Sequence, residues 1–215
     1  MLQINLIWPW YLQEFDISII NNKVDIVLPV LNEENALADN VFRLLAFCTN
    51  NMSKYNWHII IADNGSNDNT YNIAKKIEFD IDQVSLMSLS KRGRGRALKQ
   101  AWGKSVADVK VYMDIDLSTD LKFLPIICDA VAIDNYDIVI GSRLIKGSRV
   151  TGRTLKREII SRGYSILFRS LFMSSFKDAQ CGFKAISSKT SEDLLFLIED
   201  NGWFFDTELL IVADK

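Results

Sequence analysis

From residue 24 onward the sequence alternates short apolar, β-rich runs with longer helical ones, and this limits the chain to few architectures. Runs at 24–30, 57–62, 83–89, 109–113 and 137–140 read as strands, and helices are expected over about 33–49, 68–78, 95–106 and 121–133. Strands separated by helices imply an α/β fold, a mostly parallel sheet with helices on both faces. Ligands of such sheets bind beyond the carboxyl ends of the strands. Residues that directly follow a strand are therefore the first candidates for a site. A long amphipathic helix is expected over 154–176, with Leu155, Ile159, Leu167 and Leu171 on one face.

The 215 residues are 48% hydrophobic and 24% charged, the balance of one globular domain with a full core. A net charge of −2 argues against bulk electrostatic binding to nucleic acid and leaves local patches open. Cys48, Cys128 and Cys181 form no CxxC pair and no metal-ligand spacing with His58; they read as reduced, buried thiols of a cytosolic environment. No apolar run approaches the ~18 residues of a spanning helix. Residues 1–23, with Trp8, Trp10, Tyr11 and Phe15, form an extension that packs on the domain or lies at a membrane interface. It lacks the basic flank and cleavage site of a signal peptide. The domain itself spans 24–215.

Asp114-Ile115-Asp116 follows the fourth strand. Alternation points both carboxylates the same way. Such a pair suits Mg²⁺ or Mn²⁺, which takes one or two carboxylates plus substrate phosphates, although two solvated loop aspartates look the same in sequence. Asp63-Asn64-Gly65-Ser66 follows the second strand, with Gly65 suited to a tight turn. Asp63 and Asn64 have the groups to meet a nucleobase edge; a plain Asx turn before the next helix fits as well. Lys91-Arg92-Gly93-Arg94-Gly95-Arg96 opens a run of six basic residues and no acid up to residue 104. Its glycines and the helix that follows suit a phosphate cradle, with a solvated basic face or an RNA-binding segment as the other readings. From Arg143 to Arg169 there are eight basic residues and one acid, Glu158. A basic, apolar helix is attracted to an anionic membrane surface, and an ordinary core helix with a basic outer face fits equally. The segments 178–184 and 203–208 place carboxylates among aromatics, as in a sugar-binding wall or a packed surface loop.

In this order the segments resemble family-2 glycosyltransferases, within them the dolichyl-phosphate glucosyltransferase and mannose synthase group, from about Val24 to Ala213. The resemblance implies a GT-A-type, Rossmann-like fold. It implies that Pro29, Leu31 and Glu33 of Leu28-Pro29-Val30-Leu31-Asn32-Glu33-Glu34 line the nucleotide pocket, and that Asp63 and Asn64 meet the base. Asp114 and Asp116 match the metal-binding pair, and Arg143 of Gly141-Ser142-Arg143 lies near the phosphates. Lys156 and Arg157 belong to the lipid-phosphate signature at 155–163. The motifs at 178–184 and 205–210 look more glucosyl than mannosyl. Three departures stand out: Asn64 in place of an aspartate, Arg94 and Arg96 in place of lysine and glycine, and an end at Lys215 where relatives continue with a further strand and often membrane helices.

The expected activity is inverting transfer of glucose from UDP-glucose to a polyprenyl or dolichyl phosphate, with Mg²⁺ or Mn²⁺ on Asp114 and Asp116. Arg94 is expected at the donor. Arg143, Lys156 and Arg157 are expected to bind the donor diphosphate and acceptor phosphate, and Asp206 and Glu208 the sugar hydroxyls. Peripheral contact with the cytoplasmic side of a membrane follows from the basic stretch. The alternatives are a GDP-mannose user, a family-2 transferase with a glycan acceptor, and a degenerate nucleotide-binding adaptor. The intact Asp114/Asp116 pair argues against the last.

Overall fold

The protein's computed structural model describes residues 22–142 and 178–215, together with Gly163, Ser170, Phe172, Ser174 and Phe176. Its described elements run β1 (Lys23–Val30), α1 (Leu37–Asn51), β2 (Asn56–Asp63), α2 (Thr70–Asp80), β3 (Val84–Ser88), α3 (Arg94–Lys104), β4 (Val109–Met113), α4 (Phe123–Ala132), β5 (Ile138–Ile140), β6 (Phe183–Ser187), α5 (Ser188–Leu194), a 3₁₀ turn (Leu195–Leu197) and α6 (Phe205–Ala213). The expected N-terminal extension lies outside the described residues up to residue 21. So does almost all of the helix expected over 154–176.

The strands form one sheet in the order β3-β2-β1-β4-β6-β5. β1 pairs in parallel with β2 and β4, and β2 with β3; β6 runs antiparallel between β4 and β5. The mostly parallel expectation therefore holds, with β6 the one reversed strand among those described. The chain goes from β1 outward through β2 and β3, then returns to β4 on the other side of β1. This reversal opens a crevice between the carboxyl ends of β1 and β4, the place where open α/β sheets bind ligands.

Strand alternation divides the core into two layers. Ile26 and Leu28 of β1 and Val111 of β4 pack with α1, α2 and α4 through Leu37, Leu44, Ala74, Leu124 and Cys128. Val27 and Tyr112 point the other way, toward Leu98 and Trp102 of α3 and Phe205 and Leu209 of α6. Two differences from the expected elements have physical causes. The first helix starts at Leu37 instead of about residue 33, because Asn32 takes a positive φ of 57° and residues 34–36 turn before the helix begins. β6 was not anticipated: it runs antiparallel to both neighbours instead of belonging to the strand–helix alternation that marked the parallel strands, and Lys184 interrupts its apolar run.

Candidate active site

Three loops meet beyond the sheet. In the turn after β2, Asp63 Oδ1 accepts the Ser66 N–H at 3.1 Å and Gly65 takes φ 75°, so the Asx turn exists. The loop after β1 is stitched to the loop after β2. Asn32 N–H donates to Ser66 Oγ (2.9 Å), Glu33 N–H to Thr70 Oγ1 (2.7 Å) and Glu34 N–H to Asp68 Oδ2 (3.2 Å). In return, the N–H groups of Asn67 and Asn69 donate to the side chains of Asn32 (2.8 Å) and Glu34 (2.9 Å). The Glu34 carboxylate thus has a structural share, satisfying the Asn69 amide ahead of α2. Pro29 and Glu33 end up half-buried and Leu31 exposed at the crevice.

The third loop carries the aspartate pair. Ile115 and Leu117 are only 5% and 8% exposed, so they anchor in the core and turn Asp114 and Asp116 outward together. Leu117 adopts a left-handed φ of 48° and its N–H closes the turn on the Asp114 carbonyl at 3.1 Å. That conformation costs a leucine roughly 1–2 kcal/mol, offset here by burial of its side chain. Asp116 is exposed, with Oδ1 accepting the Ser118 N–H at 3.0 Å. Burial, then the charges of Asp116 and Asp68, push the Glu33 carboxyl above its ordinary range. Glu33, Asp116 and Asp68 therefore keep like charges close together at the rim, with hard oxygen donors that fit a divalent cation. Among the described residues no group of three or more His, Cys, Asp or Glu side chains could hold a metal on its own. A cation on Asp114 and Asp116 would need substrate oxygens to complete its shell, the usual habit of Mg²⁺.

Asp114 is also the outermost member of a buried ionic network. Its Oδ1 accepts from Arg94 Nη2 at 2.6 Å, and Arg94 Nε lies 3.7 Å from Asp206 Oδ2. Lys184, fully buried, donates to Asp206 Oδ1 (2.7 Å), the Tyr112 hydroxyl (2.9 Å) and the Cys181 carbonyl (2.7 Å). The Tyr112 hydroxyl also bonds Asp206. Burial opposes the Arg94 charge, but Tyr112, Asp114 and Asp206 outweigh it and raise its pKa. Burial and Asp206 push the Tyr112 phenol far up, so it stays a neutral donor. The guanidinium also sits 4.9 Å from the centre of the Trp203 ring, whose residue is 73% exposed beside it.

Four expectations change. The glycine-rich basic loop does not offer its backbone to phosphate: Gly95 N–H donates to Gly202 O (3.0 Å), Arg96 N–H to Asn201 O (3.1 Å) and Gly93 N–H to Asn64 Oδ1 (2.6 Å). Glycine is needed there for close approach, since a Cβ on Gly95 would lie 2.6 Å from Phe205 Cβ. The start of α3 is capped by the protein itself. The Asn64 side-chain oxygen, expected at a base, is thus already engaged by the loop. Arg94 is the partner of Asp114 rather than a free phosphate ligand, and Arg92 Nε donates to Gly65 O at 3.2 Å. Asp206, expected at a sugar hydroxyl, is 4% exposed and held in the network, and Glu208 accepts the N–H groups of Glu199 (3.0 Å) and Asp200 (2.8 Å), so both have a structural task in the 199–204 loop and its backing.

Arg143, Lys156 and Arg157 lie outside the described residues, as does most of the basic stretch. Sequence reading did not single out Tyr112, and it gave Lys184 and Trp203 no role beyond their place in the segments 178–184 and 203–208. The signal for Lys184 was present, a lysine inside the apolar run Phe183–Ser187. The cysteines are buried, and burial drives the Cys48 thiol up to about 12.

Comparison with known proteins agrees with this architecture. The chain is 35% identical over 194 residues to glycosyltransferase AglD of Haloferax volcanii, covering 90% of this chain and 31% of that protein. It is 29% identical over 219 residues to the dolichyl-phosphate beta-glucosyltransferase of Dictyostelium discoideum, covering 92% and 66% respectively. The chain thus spans about a third of the first relative and under two thirds of the second. Glucosyl-3-phosphoglycerate synthase from Mycobacterium tuberculosis, crystallised with Mn²⁺, UDP-glucose and phosphoglyceric acid, superimposes with a TM-score of 0.68 at 19% identity, over 95% of this chain and 74% of that one, and shows a shared fold. The family model described as glycosyl transferase family 2 matches residues 25–195, and the chain belongs to that family.

Proposed function

We propose that the chain moves a hexose, glucose from UDP-glucose, onto a polyprenyl or dolichyl phosphate with inversion at the anomeric carbon. The observation that carries the reading is the meeting of Asp114, Asp116, Glu33 and the Asp63–Ser66 turn at the crevice between the carboxyl ends of β1 and β4. The dolichyl-phosphate beta-glucosyltransferases among its relatives support the donor sugar and the acceptor. Mg²⁺ or Mn²⁺ on Asp114 and Asp116 would neutralise the diphosphate leaving group. The rim charge favours this, and Mn²⁺ accompanies UDP-glucose in the M. tuberculosis synthase.

A phosphate acceptor is largely anionic at neutral pH, with a second pKa near ~6. It needs positioning and countercharge more than a general base. The engagement of Asp206 with Lys184 and of Glu208 with two backbone N–H groups suits that chemistry, because it leaves neither carboxylate free as a base. On the sequence alone, Arg143, Lys156 and Arg157 supply the countercharge and the basic stretch gives peripheral contact with the cytoplasmic leaflet. Among the described residues no helix is long and apolar enough to cross a membrane.

The test is a transfer assay with UDP-glucose, GDP-mannose and other nucleotide sugars, with and without metal, on matched prenyl phosphate and prenyl alcohol. Metal-dependent glucosyl transfer to the phosphate is the expected result. Preference for GDP-mannose moves the reading to a mannosyltransferase, equal rates on phosphate and alcohol overturn the acceptor, and nucleotide binding without turnover on any acceptor points to an adaptor.

A further inference from the structure

Asp114 does not stand free at the end of β4. Its N–H donates to the Gly182 carbonyl at 3.1 Å, one step beyond the Met113–Phe183 pair of the β4–β6 ladder. Its carboxylate lies against the Cα of Gly182, on the side where any other residue carries a side chain. A Cβ placed there would overlap Oδ2 and Cγ and come within 2.6 Å of Oδ1. The other side of the carboxylate is held by Arg94 at 2.6 Å. Arg94 is itself pinned by Asp206 at 3.7 Å and by the Tyr112 and Trp203 rings at 5.4 and 4.9 Å.

Backbone conformation does not call for glycine at 182. Among the described glycines a positive φ occurs at Gly65 and Gly93 only. What position 182 requires is space. An aspartate at a strand end has several open rotamers, and a donor-binding carboxylate must sit within about 0.5 Å of its working position.

We propose that Gly182 and Arg94 form a two-sided seat that aims the Asp114 carboxylate, Gly182 by leaving the space it fills and Arg94 by supplying its countercharge. Both are positioning residues that act through Asp114, and the inference rests on the reading of Asp114 as a donor-site residue. The methyl group of Gly182→Ala meets the mobile end of a side chain rather than backbone, so the carboxylate moves and the fold survives. Arg94→Ala leaves the space intact and removes the countercharge.

The experiment is calorimetric titration of UDP with Mn²⁺, beside UDP alone and beside steady-state transfer, in Gly182→Ala, Arg94→Ala, Arg94→Lys and the Gly182→Ala/Arg94→Ala double variant. Gly103→Ala serves as control, since a Cβ there meets nothing within 4 Å. Misplacing a metal-site carboxylate through its supports costs about 10–100-fold in affinity. The expected result is a loss of that size in UDP–Mn²⁺ affinity and kcat/KM for Gly182→Ala and Arg94→Ala, with metal-free UDP binding unchanged. Arg94→Lys recovers part of the loss. The double variant is no worse than the more impaired single one, because both act on one carboxylate. Wild-type UDP–Mn²⁺ affinity in Gly182→Ala, or additive losses in the double variant, overturns the seat. If Gly182→Ala fails to fold, the Arg94 variants decide: no gain from lysine over alanine overturns it. A wild-type protein that binds no UDP with Mn²⁺ overturns the donor-site reading instead.

Discussion

Two sets of carboxylates meet at the carboxyl end of this sheet, and the fold treats them in opposite ways. At the rim, Asp116 and Asp68 add to the burial of Glu33 in raising its pKa, so like charges face one another. Deeper, Asp114 and Asp206 share Arg94, and Asp206 also holds Lys184 at 2.7 Å. The same residue type is left in mutual repulsion in one region and neutralised in the other. Repulsion retained at a cleft is where functional sites concentrate, whereas the buried Asp206–Lys184 pair is architecture, and Asp114 lies where the two sets join.

The largest effect should come from breaking the compensated set. Lys184 is fully buried, and replacing it by Met leaves Asp206 without its direct ion-pair partner. Removing one member of a buried pair costs about 3–5 kcal/mol. Removing both, in Lys184→Met/Asp206→Leu, should restore much of that stability. Urea denaturation of the single and double variants measures the difference. A cost below about 1 kcal/mol for Lys184→Met would show that the network is not what holds α6 to β6.

The rim should behave in the reverse manner. Asp116→Ala removes an exposed charge and relieves Glu33, so its stability should stay within about 0.5 kcal/mol of wild type. Turnover should nevertheless fall by about 100-fold or more, the loss of several kcal/mol of charge stabilisation in the transition state. Thermal unfolding and a transfer assay in the presence of Mn²⁺ check the two halves. Full turnover of the variant in chelator would sink the metal assignment.

This contrast also marks what sequence could convey. The parallel strands and the aspartate pair were legible because each follows an apolar run that ends abruptly in polar residues, as Val109–Met113 does before Asp114. The fate of Arg94 was not. A basic, glycine-rich loop before a helix describes a phosphate cradle and a self-capped helix equally well, and only the approach of Asn201 and Gly202 to Gly95 and Arg96 separates them. Asp206 and Glu208 share a motif in sequence, yet α6 sends one into the network and the other to a neighbouring backbone. Pairings across roughly ninety residues, such as Tyr112 with Asp206, leave no local signature.

A smaller effect separates the bracing carboxylate from a sugar-binding one. Glu208 satisfies two backbone N–H groups of the loop that leads to Trp203. Glu208→Ala should cost about 1–3 kcal/mol through the unsatisfied amides. Glu208→Gln keeps one carbonyl oxygen for them and should retain most activity and a near-normal KM for the donor. A donor KM raised strongly in Glu208→Gln, with unchanged thermal stability, would return Glu208 to the sugar.

The smallest effect is expected at the other buried lysine, and it sharpens the comparison because this one lacks a carboxylate at hydrogen-bond distance. Lys110 Nζ donates to Ser191 Oγ at 2.7 Å. Burial lowers its pKa below the ordinary 10.5, and the more distant charges of Glu192 and Asp25 offset that only in part. A lysine whose folded pKa lies below its unfolded one penalises folding while it must stay protonated. Between the two pKa values the unfolded chain binds more protons, so stability rises with pH there. Lys110→Met should therefore match or exceed wild-type stability at neutral pH, in contrast to Lys184→Met. Its advantage should shrink as pH climbs through 10.5, above which wild-type Lys110 becomes neutral in both states. Chemical denaturation of both proteins from pH 7 upward reads this directly. An advantage that grows with pH, or a neutral-pH loss as large as that of Lys184→Met, would show that Lys110 is compensated after all and that the two buried lysines do not differ in kind.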